Sequence, residues 1–286
     1  MGAADVVPGV SGGTMAFILG IYDELIEAIH AVNADFVRRL FTFQWRAAFD
    51  NFPWKFLLSL GLGILTAIVA LASALHWALE NHPVYIWAFF FGLILASIAA
   101  VRRRVRRWSL VNIVAAVAAA GGAFVLVGLS PAETPHTPLL LFLSGAVAIC
   151  AMILPGISGA FILVLLGKYA YVLSAVKHFD ILTVALVGLG AVTGLLAFVR
   201  LLRWMLHRNH DLVVAILTGF MAGSLRKVWP WKTVERAGEV IVRETNFIPS
   251  ALGVEEMLAV VLMVFGIGLV LGIEHFAARQ TPAASE

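Results

Sequence analysis

Charge and cysteine are what this sequence is short of. Only 13% of its 286 residues are Asp, Glu, Lys or Arg, against roughly 25% in a soluble domain. A chain so poor in charge cannot cover itself with a solvated shell. The one cysteine, Cys150, excludes an internal disulfide and a cysteine-based metal site; lying in an apolar run, it reads as inert packing. His76, His82, His136, His178, His207, His210 and His275 sit at loops and segment ends, without a ligand spacing such as HExxH. Ser, His and acidic residues form no nucleophile elbow. Neither an enzyme nor a metal or organic cofactor is signalled. The first residues have no basic n-region, and Asp5 stands where one belongs, so no cleavable signal peptide is expected. The net charge of +3 comes from Arg-rich loops and marks no nucleic-acid surface.

What the sequence has is apolar length. It is 61% hydrophobic with a mean hydropathy of +0.96, the composition of an integral membrane protein built of helical spans. Aromatics make up 11%, with eight Trp, which suits anchoring at the membrane interfaces. Full spans are expected at 56–79, 84–101, 110–129, 181–206, 212–225 and 257–272. Residues 15–29 make a helix for half to three quarters of a bilayer at about 1.5 Å per residue, leaving it at Asp23, Glu24 and Glu27. Residues 31–55 mix Arg38, Arg39, Arg46 and Lys55 with Phe36, Phe41, Phe43, Trp45 and Trp54, an interfacial amphipathic pattern. Residues 233–254 read as a polar connection, with an amphipathic surface helix as its expected form, and 277–286 as a polar tail.

One short stretch occurs twice. Pro8-Gly9-Val10-Ser11-Gly12 returns as Pro155-Gly156-Ile157-Ser158-Gly159, and each copy runs through an apolar segment to a Gly and a Tyr, Gly20 and Tyr22 or Gly167 and Tyr169. The offset is 147 without gaps, with seven identities in the fifteen positions from Pro8 to Tyr22. Pro removes a donor and clashes with the preceding turn, and Gly permits positive φ, so each copy breaks a helix between apolar segments. A second match extends the repeat at an offset of 127. Gly61-Leu62-Gly63-Ile64-Leu65-Thr66 falls on Gly188-Leu189-Gly190-Ala191-Val192-Thr193, Trp77 on Trp204, Gly92 on Gly219 and Ser97 on Ser224. Matches held in register across two spans argue duplication. The small residues Gly61, Gly63, Gly188, Gly190 and Gly194 read as close helix contacts.

Loop charge sets the sign of the repeat. Arg102-Arg103-Arg104-Val105-Arg106-Arg107 is cytoplasmic by the positive-inside rule, so the 80–83 turn is outside, while its partner loop 200–211, with Arg200, Arg203 and Arg208, is inside. Equivalent loops on opposite sides make the repeats inverted, as in secondary transporters, with the substrate site at discontinuous helices between the halves. Segment 139–178 then begins and ends outside and reads as a re-entrant hairpin with Pro155 at its tip. By symmetry Pro8 tips a hairpin entering from the cytoplasm, whose first arm needs about 15 residues before Asp5. The expected fold is an all-α integral membrane protein of inverted topology, with two re-entrant hairpins or broken helices and about six full transmembrane helices. Its first repeat is 1–138, with a truncated first arm, and its second is 139–276.

Non-helical backbone at membrane depth is tolerated only inside protein or along a wet cavity. Ser11, Gly12, Gly13 and Thr14 open a half-helix with free N–H groups and hydroxyls, an anion site suited to phosphate, and Ser158 and Gly159 repeat it. The plainer alternative is a tight turn, Pro8-Gly9 or Pro155-Gly156, with Ser as its N-cap. Asp5, an acid before a break in an apolar run, is a candidate for proton or Na⁺ coupling or gating, or else an interfacial residue. Arg226 and Lys227 end a span on the outer face against the charge bias, as anionic-headgroup ligands or as snorkelling side chains in an aromatic belt.

Ala4-Asp5-Val6-Val7-Pro8-Gly9-Val10-Ser11-Gly12-Gly13-Thr14, Gly20-Ile21-Tyr22, Leu154-Pro155-Gly156-Ile157-Ser158-Gly159 and Leu225-Arg226-Lys227-Val228-Trp229-Pro230-Trp231 together resemble the bacterial and archaeal polyprenyl-phosphate transporters. The resemblance covers nearly the whole chain. It implies a flippase of the cytoplasmic membrane that returns undecaprenyl phosphate, the lipid carrier of cell-wall precursors, from the outer to the inner leaflet. The residues alone leave open an ion-coupled symporter of small anions, or a structural membrane protein.

Overall fold

The computed structural model describes residues 1–5, 11–50, 52–129, 131, 134–237, 240–251 and 253–280. Helices α1 (Gly2–Asp5) and α2 (Gly12–Ile18) flank the first break. They are followed by α3 (Tyr22–His30) and the short surface helices α4 (Ala34–Phe41) and α5 (Trp45–Phe49). The long helices α6 (Trp54–Asn81) and α7 (Pro83–Arg102) come next, then α8 (Leu110–Leu126). Around the second break stand α9 (Pro138–Ile153) and α10 (Gly159–Leu165), continued by α11 (Tyr169–Lys177), α12 (Ile181–Arg208) and α13 (His210–Ser224). An antiparallel hairpin of β1 (Lys232–Ala237) and β2 (Val240–Asn246) precedes α14 (Val254–Gln280).

The starts of these helices are written locally. The side chains of Ser109, Thr137 and Asp180 accept from the amides of Asn112, Leu140 and Thr183 and cap α8, α9 and α12. Pro83 and Pro138 stand at first helical positions, where no donor is missed. Helices α6, α7, α12 and α14 are long and apolar enough to cross a membrane, and α10 with α11 makes a fifth apolar stretch bent by 107°. Of the six expected spans, those on α8 and α13 are shorter, at 17 and 15 residues. Leu62, Val69, Val114, Leu189 and Val261 point outward from their helices, the apolar exterior that lipid requires.

Three helix pairs make the frame: α13 lies along α8, α7 along α14, and α12 along α9. The first two pairs approach through glycine. A Cβ on Gly219 would strike the carbonyl of Ala116, and one on Gly92 the carbonyl of Met263. Gly190 and Gly194 meet Phe142 and Ala146 of α9 as expected, but among the described residues no atom lies within 4 Å of a Cβ added to Gly61, Gly63 or Gly188. That part of the close-packing expectation is corrected. In the first half α1 touches α6 at Ile64, whose carbonyl a Cβ on Gly2 would strike, and among the described residues no backbone lies over Gly63 as Phe142 lies over Gly190.

The repeated stretches share local geometry. The helix after each break has 7 residues and the next has 9. Gly20 and Gly167 make the bend between them at φ 72° and 65°, where only glycine is free of strain. Helices α6 and α12 both run 28 residues and end at His82 (φ −138°, ψ 51°) and Asn209 (φ −143°, ψ 64°).

The 233–254 segment is corrected from surface helix to hairpin. Its sequence holds short runs of β-branched residues, Thr233-Val234 and Val240-Ile241-Val242, the residue type that suits strands. Helix α14 runs on to Gln280, and residues 281–286 of the expected polar tail lie outside the described residues.

Candidate functional site

The two breaks meet in the middle of the molecule. Pro8 and Gly9 lie outside the described residues, but Ser11 to Thr14 are fixed and buried. Ser11 has extended backbone and caps α2, its Oγ accepting from Gly13 N at 3.1 Å. The same hydroxyl reaches the other break, donating to the carbonyl of Met152 at 2.9 Å or of Leu154 at 3.3 Å. Gly13 has no room for a side chain, because a Cβ there would strike the carbonyl of Ile153. Gly12 N donates to Asp5 Oδ1 at 2.7 Å, so the Asp5 carboxyl occupies an amide at the opening of α2.

In the second break Leu154 is extended and ends α9, and Gly156 takes φ 94°. Gly156 N donates to Thr14 Oγ1 at 2.9 Å. A Cβ on Gly156 would crowd Ser224 Oγ and Met221 of α13. Gly159 opens α10 hard against the carbonyl of Ala148. Ser158 is buried at the cap position of α10 but makes no side-chain capping bond. The two copies thus differ in use: the Ser11 hydroxyl is spent holding the breaks together, and the Ser158 hydroxyl is not spent on its own helix. Tyr22 completes the junction, buried and donating to the carbonyl of Ile153 at 3.3 Å.

Arg226 and Lys227 follow α13 closely, Arg226 turned to the end of α8 at Phe124 and Lys227 to α10 at Phe161 beyond the second break. Ser224, at the end of α13, abuts Gly156. Arg226 Nη1 donates to the carbonyl of Phe124 at 3.0 Å, with its guanidinium 4.5 Å from the centre of that ring. Lys227 Nζ donates to Glu244 Oε2 at 2.9 Å and stands 5.0 Å from the ring centre of Phe161 on α10. The hairpin supplies Lys232, whose Nζ donates to the carbonyl of Lys227 at 2.8 Å and lies 3.8 Å over the Trp87 ring. Burial pushes the Lys232 ammonium down to about 8, opposed by the nearby Glu244. Burial pulls Glu244 upward, but the charges of Lys232 and Lys227 outweigh it and hold that carboxyl below the usual range. Lys232, Glu244 and Trp87 were not legible as site residues. Glu244 belongs to a stretch that reads as a connection, and only the hairpin brings it to Lys227.

Lys168 is a further residue the sequence hid. It takes the repeat position of Ile21, is buried, and donates to the carbonyls of Thr134 and Pro135 at 2.6 Å each, with His136 Nδ1 at 2.9 Å. Its charge pins the proline-rich loop to the Gly167 bend.

The arginine-rich end is a separate region. Asp211 accepts from the amides of Arg106 and Arg107 at 3.2 and 3.0 Å. Arg203 Nε donates to both carboxylate oxygens of Glu27 at 2.7 and 2.8 Å, tying α3 to α12. Arg104 donates to the carbonyl of Phe17 at 3.2 Å, at the far end of α2. A cavity of about 450 Å³ opens between Asp23, Glu27, Arg106, Arg203 and His207. No described residue of either break lines it. Among the described residues no group of three or more His, Cys, Asp or Glu could hold a metal ion.

A family model described as undecaprenyl phosphate translocase-like matches residues 1–246. Among curated proteins, a polyprenyl-phosphate transporter of Vibrio cholerae serotype O1 is 43% identical over 298 residues, covering 98% of this chain and 94% of that protein. A polyprenyl-phosphate transporter of Staphylococcus aureus is 29% identical over 252 residues, covering 80% and 83%. No solved structure matches the chain.

Proposed function

Because this chain belongs to the undecaprenyl phosphate translocase-like family, a family of transporters and not of enzymes, we propose that it carries polyprenyl phosphate across a bacterial or archaeal cytoplasmic membrane. Undecaprenyl phosphate moves from the outer to the inner leaflet, which returns the lipid carrier to envelope synthesis. One observation carries the reading: the two breaks bond to each other through Ser11 and Met152 or Leu154, and through Gly156 and Thr14. Irregular backbone of this kind is stable at membrane depth only inside protein or beside a polar path, and a polar path is what a headgroup needs while its prenyl tail stays in lipid.

The halves are inverted repeats in this reading. The packing of α7 on α14 and of α8 on α13 supports this, as does the position of two equivalent turns. Asp211, beside the 207–210 turn, bonds the Arg106–Arg107 backbone at one end of α7, whereas the 80–83 turn adjoins the other end, where Lys232 covers Trp87. Helices α8 and α13 complete six crossings as short spans within the packed frame. Ser11, Gly12, Gly13, Thr14, Ser158 and Gly159 receive the phosphate when the breaks separate, with Arg226 and Lys227 drawing it in from the outer face. Asp5 is the coupling group: protonation or Na⁺ binding releases the Gly12 N–H from its carboxylate and opens the anion site to substrate.

The test is reconstitution in liposomes with undecaprenyl phosphate placed in the outer leaflet only. Transfer to the inner leaflet faster than in protein-free vesicles is expected. Transfer at the protein-free rate by folded protein would sink the proposal.

A further inference from the structure

The face opposite the arginine-rich loop carries two cations around one carboxylate, each largely withdrawn from solvent. Lys227 Nζ and Lys232 Nζ stand 2.9 and 3.6 Å from the same oxygen of Glu244. The side chains of Lys227, Lys232 and Glu244 are 15%, 5% and 18% exposed. Two ammonium groups against one carboxylate leave this set at net +1, a costly remainder out of water. A phosphomonoester carries about −1.5 to −2 near pH 7 with three strong acceptor oxygens, and matches two ammonium groups where a single carboxylate does not. A further donor stands next in sequence to Lys232: Trp231 Nε1 is buried with no hydrogen-bond partner among the described residues, whereas buried donors are ordinarily paired. The aromatic faces under the two lysines belong to Trp87, which packs in one cluster with Ala4 beside the first break, and to Phe161, two residues beyond Gly159 in the second.

We propose that Lys232 and Lys227 form a phosphomonoester-binding pair on this face, and that Glu244 of β2 is its resident anion, displaced when a phosphate headgroup arrives. The inference rests on the reading of the chain as a polyprenyl-phosphate transporter and deepens it. It adds Lys232, on the hairpin, to the ligands, and it makes Glu244 a competitor of the substrate. Displacement unties β2 from Lys227, so the arriving headgroup itself loosens the hairpin from the second break.

Binding of undecaprenyl phosphate to the purified full chain in nanodiscs tests this, with thermal melting as the check on folding. Lys232→Met should bind about tenfold more weakly, the order expected for losing one charge-assisted hydrogen bond. Glu244→Gln should bind more tightly than wild type by about the same factor, because the competing charge is gone. Should Glu244→Gln fail to fold, Glu244→Asp, too short to serve both lysines, should still bind more tightly than wild type. Inorganic phosphate separates the sources: competition by free phosphate in the same rank order supports a site for phosphate as such. Its failure to compete, with the lipid rank order kept, supports a site that takes phosphate only on a lipid. Wild-type binding that neither substitution moves, or Glu244→Gln binding no tighter than wild type with an unchanged melting temperature, overturns the pair alone. A folded wild-type protein that binds no undecaprenyl phosphate overturns the pair and the transporter reading together.

Discussion

Single hydroxyls and single carboxylates decide what the two breaks do. Thr14 Oγ1 is the acceptor for Gly156 N across the junction, and burial leaves that amide no water to turn to. Thr14→Val keeps the shape and removes the acceptor. It should lower stability by about 1–3 kcal/mol, the cost of an unsatisfied buried donor, whereas Thr14→Ser should restore most of it; thermal melting in detergent reads both. Lys232 gives a pH signature. Its ammonium is lowered to about 8, so the free site loses a positive charge as pH rises through that value, with Lys227 and Glu244 as its charged neighbours. Undecaprenyl phosphate affinity should fall above pH 8 in wild type and stay flatter in Lys232→Met. The stability sign is opposite. Lys232 binds its proton less tightly folded than unfolded, so its contribution makes stability rise between pH 8 and its ordinary value of 10.5. Residues of this kind were half legible. Ser11 and Ser158 announce themselves by repetition, yet the sequence does not reveal that Ser11 bonds the opposite break, because that contact spans 141 residues.

At the scale of elements, the frame depends on backbones in contact. Gly92 and Gly219 stand at equivalent places in α7 and α13, each against a carbonyl of the neighbouring helix. A backbone carbonyl cannot swing aside as a long side chain can, so Gly92→Ala and Gly219→Ala should each lower stability by about 1–3 kcal/mol through overpacking. Gly63→Ala, with no atom of the described residues within 4 Å of the added Cβ, should be neutral or stabilising by up to about 1 kcal/mol from helix propensity. Denaturation of the three variants in one detergent checks the contrast. Element type was largely legible, since long apolar runs bounded by Pro, Asn and capping Ser or Thr specify helices. The hairpin was not, because 232–246 is polar enough to pass for a connection and its β-branched residues stand in short runs without a strand period.

At the scale of the whole molecule, the two turns ending α6 and α12 share backbone geometry at His82 and Asn209 and stand at opposite ends of the helix frame. In a Cys150→Ser background, His82→Cys should react with an impermeant thiol reagent from outside intact cells and Asn209→Cys only after the membrane is opened. Labelling of both from one side would remove the inverted arrangement. The sequence by itself determined the class of molecule, the helices and the two breaks, because apolar length, proline and glycine act within a few residues of where they stand. It also carried the motifs by which the family is known. Only the tertiary structure decided that the breaks bond to each other, that Asp5 occupies the amide of Gly12, and that Glu244 lies between Lys227 and Lys232. Those contacts join groups that are distant in the chain or separated by a turn whose path is not written locally. Their energy comes from burial, which no single segment possesses until the helices have packed.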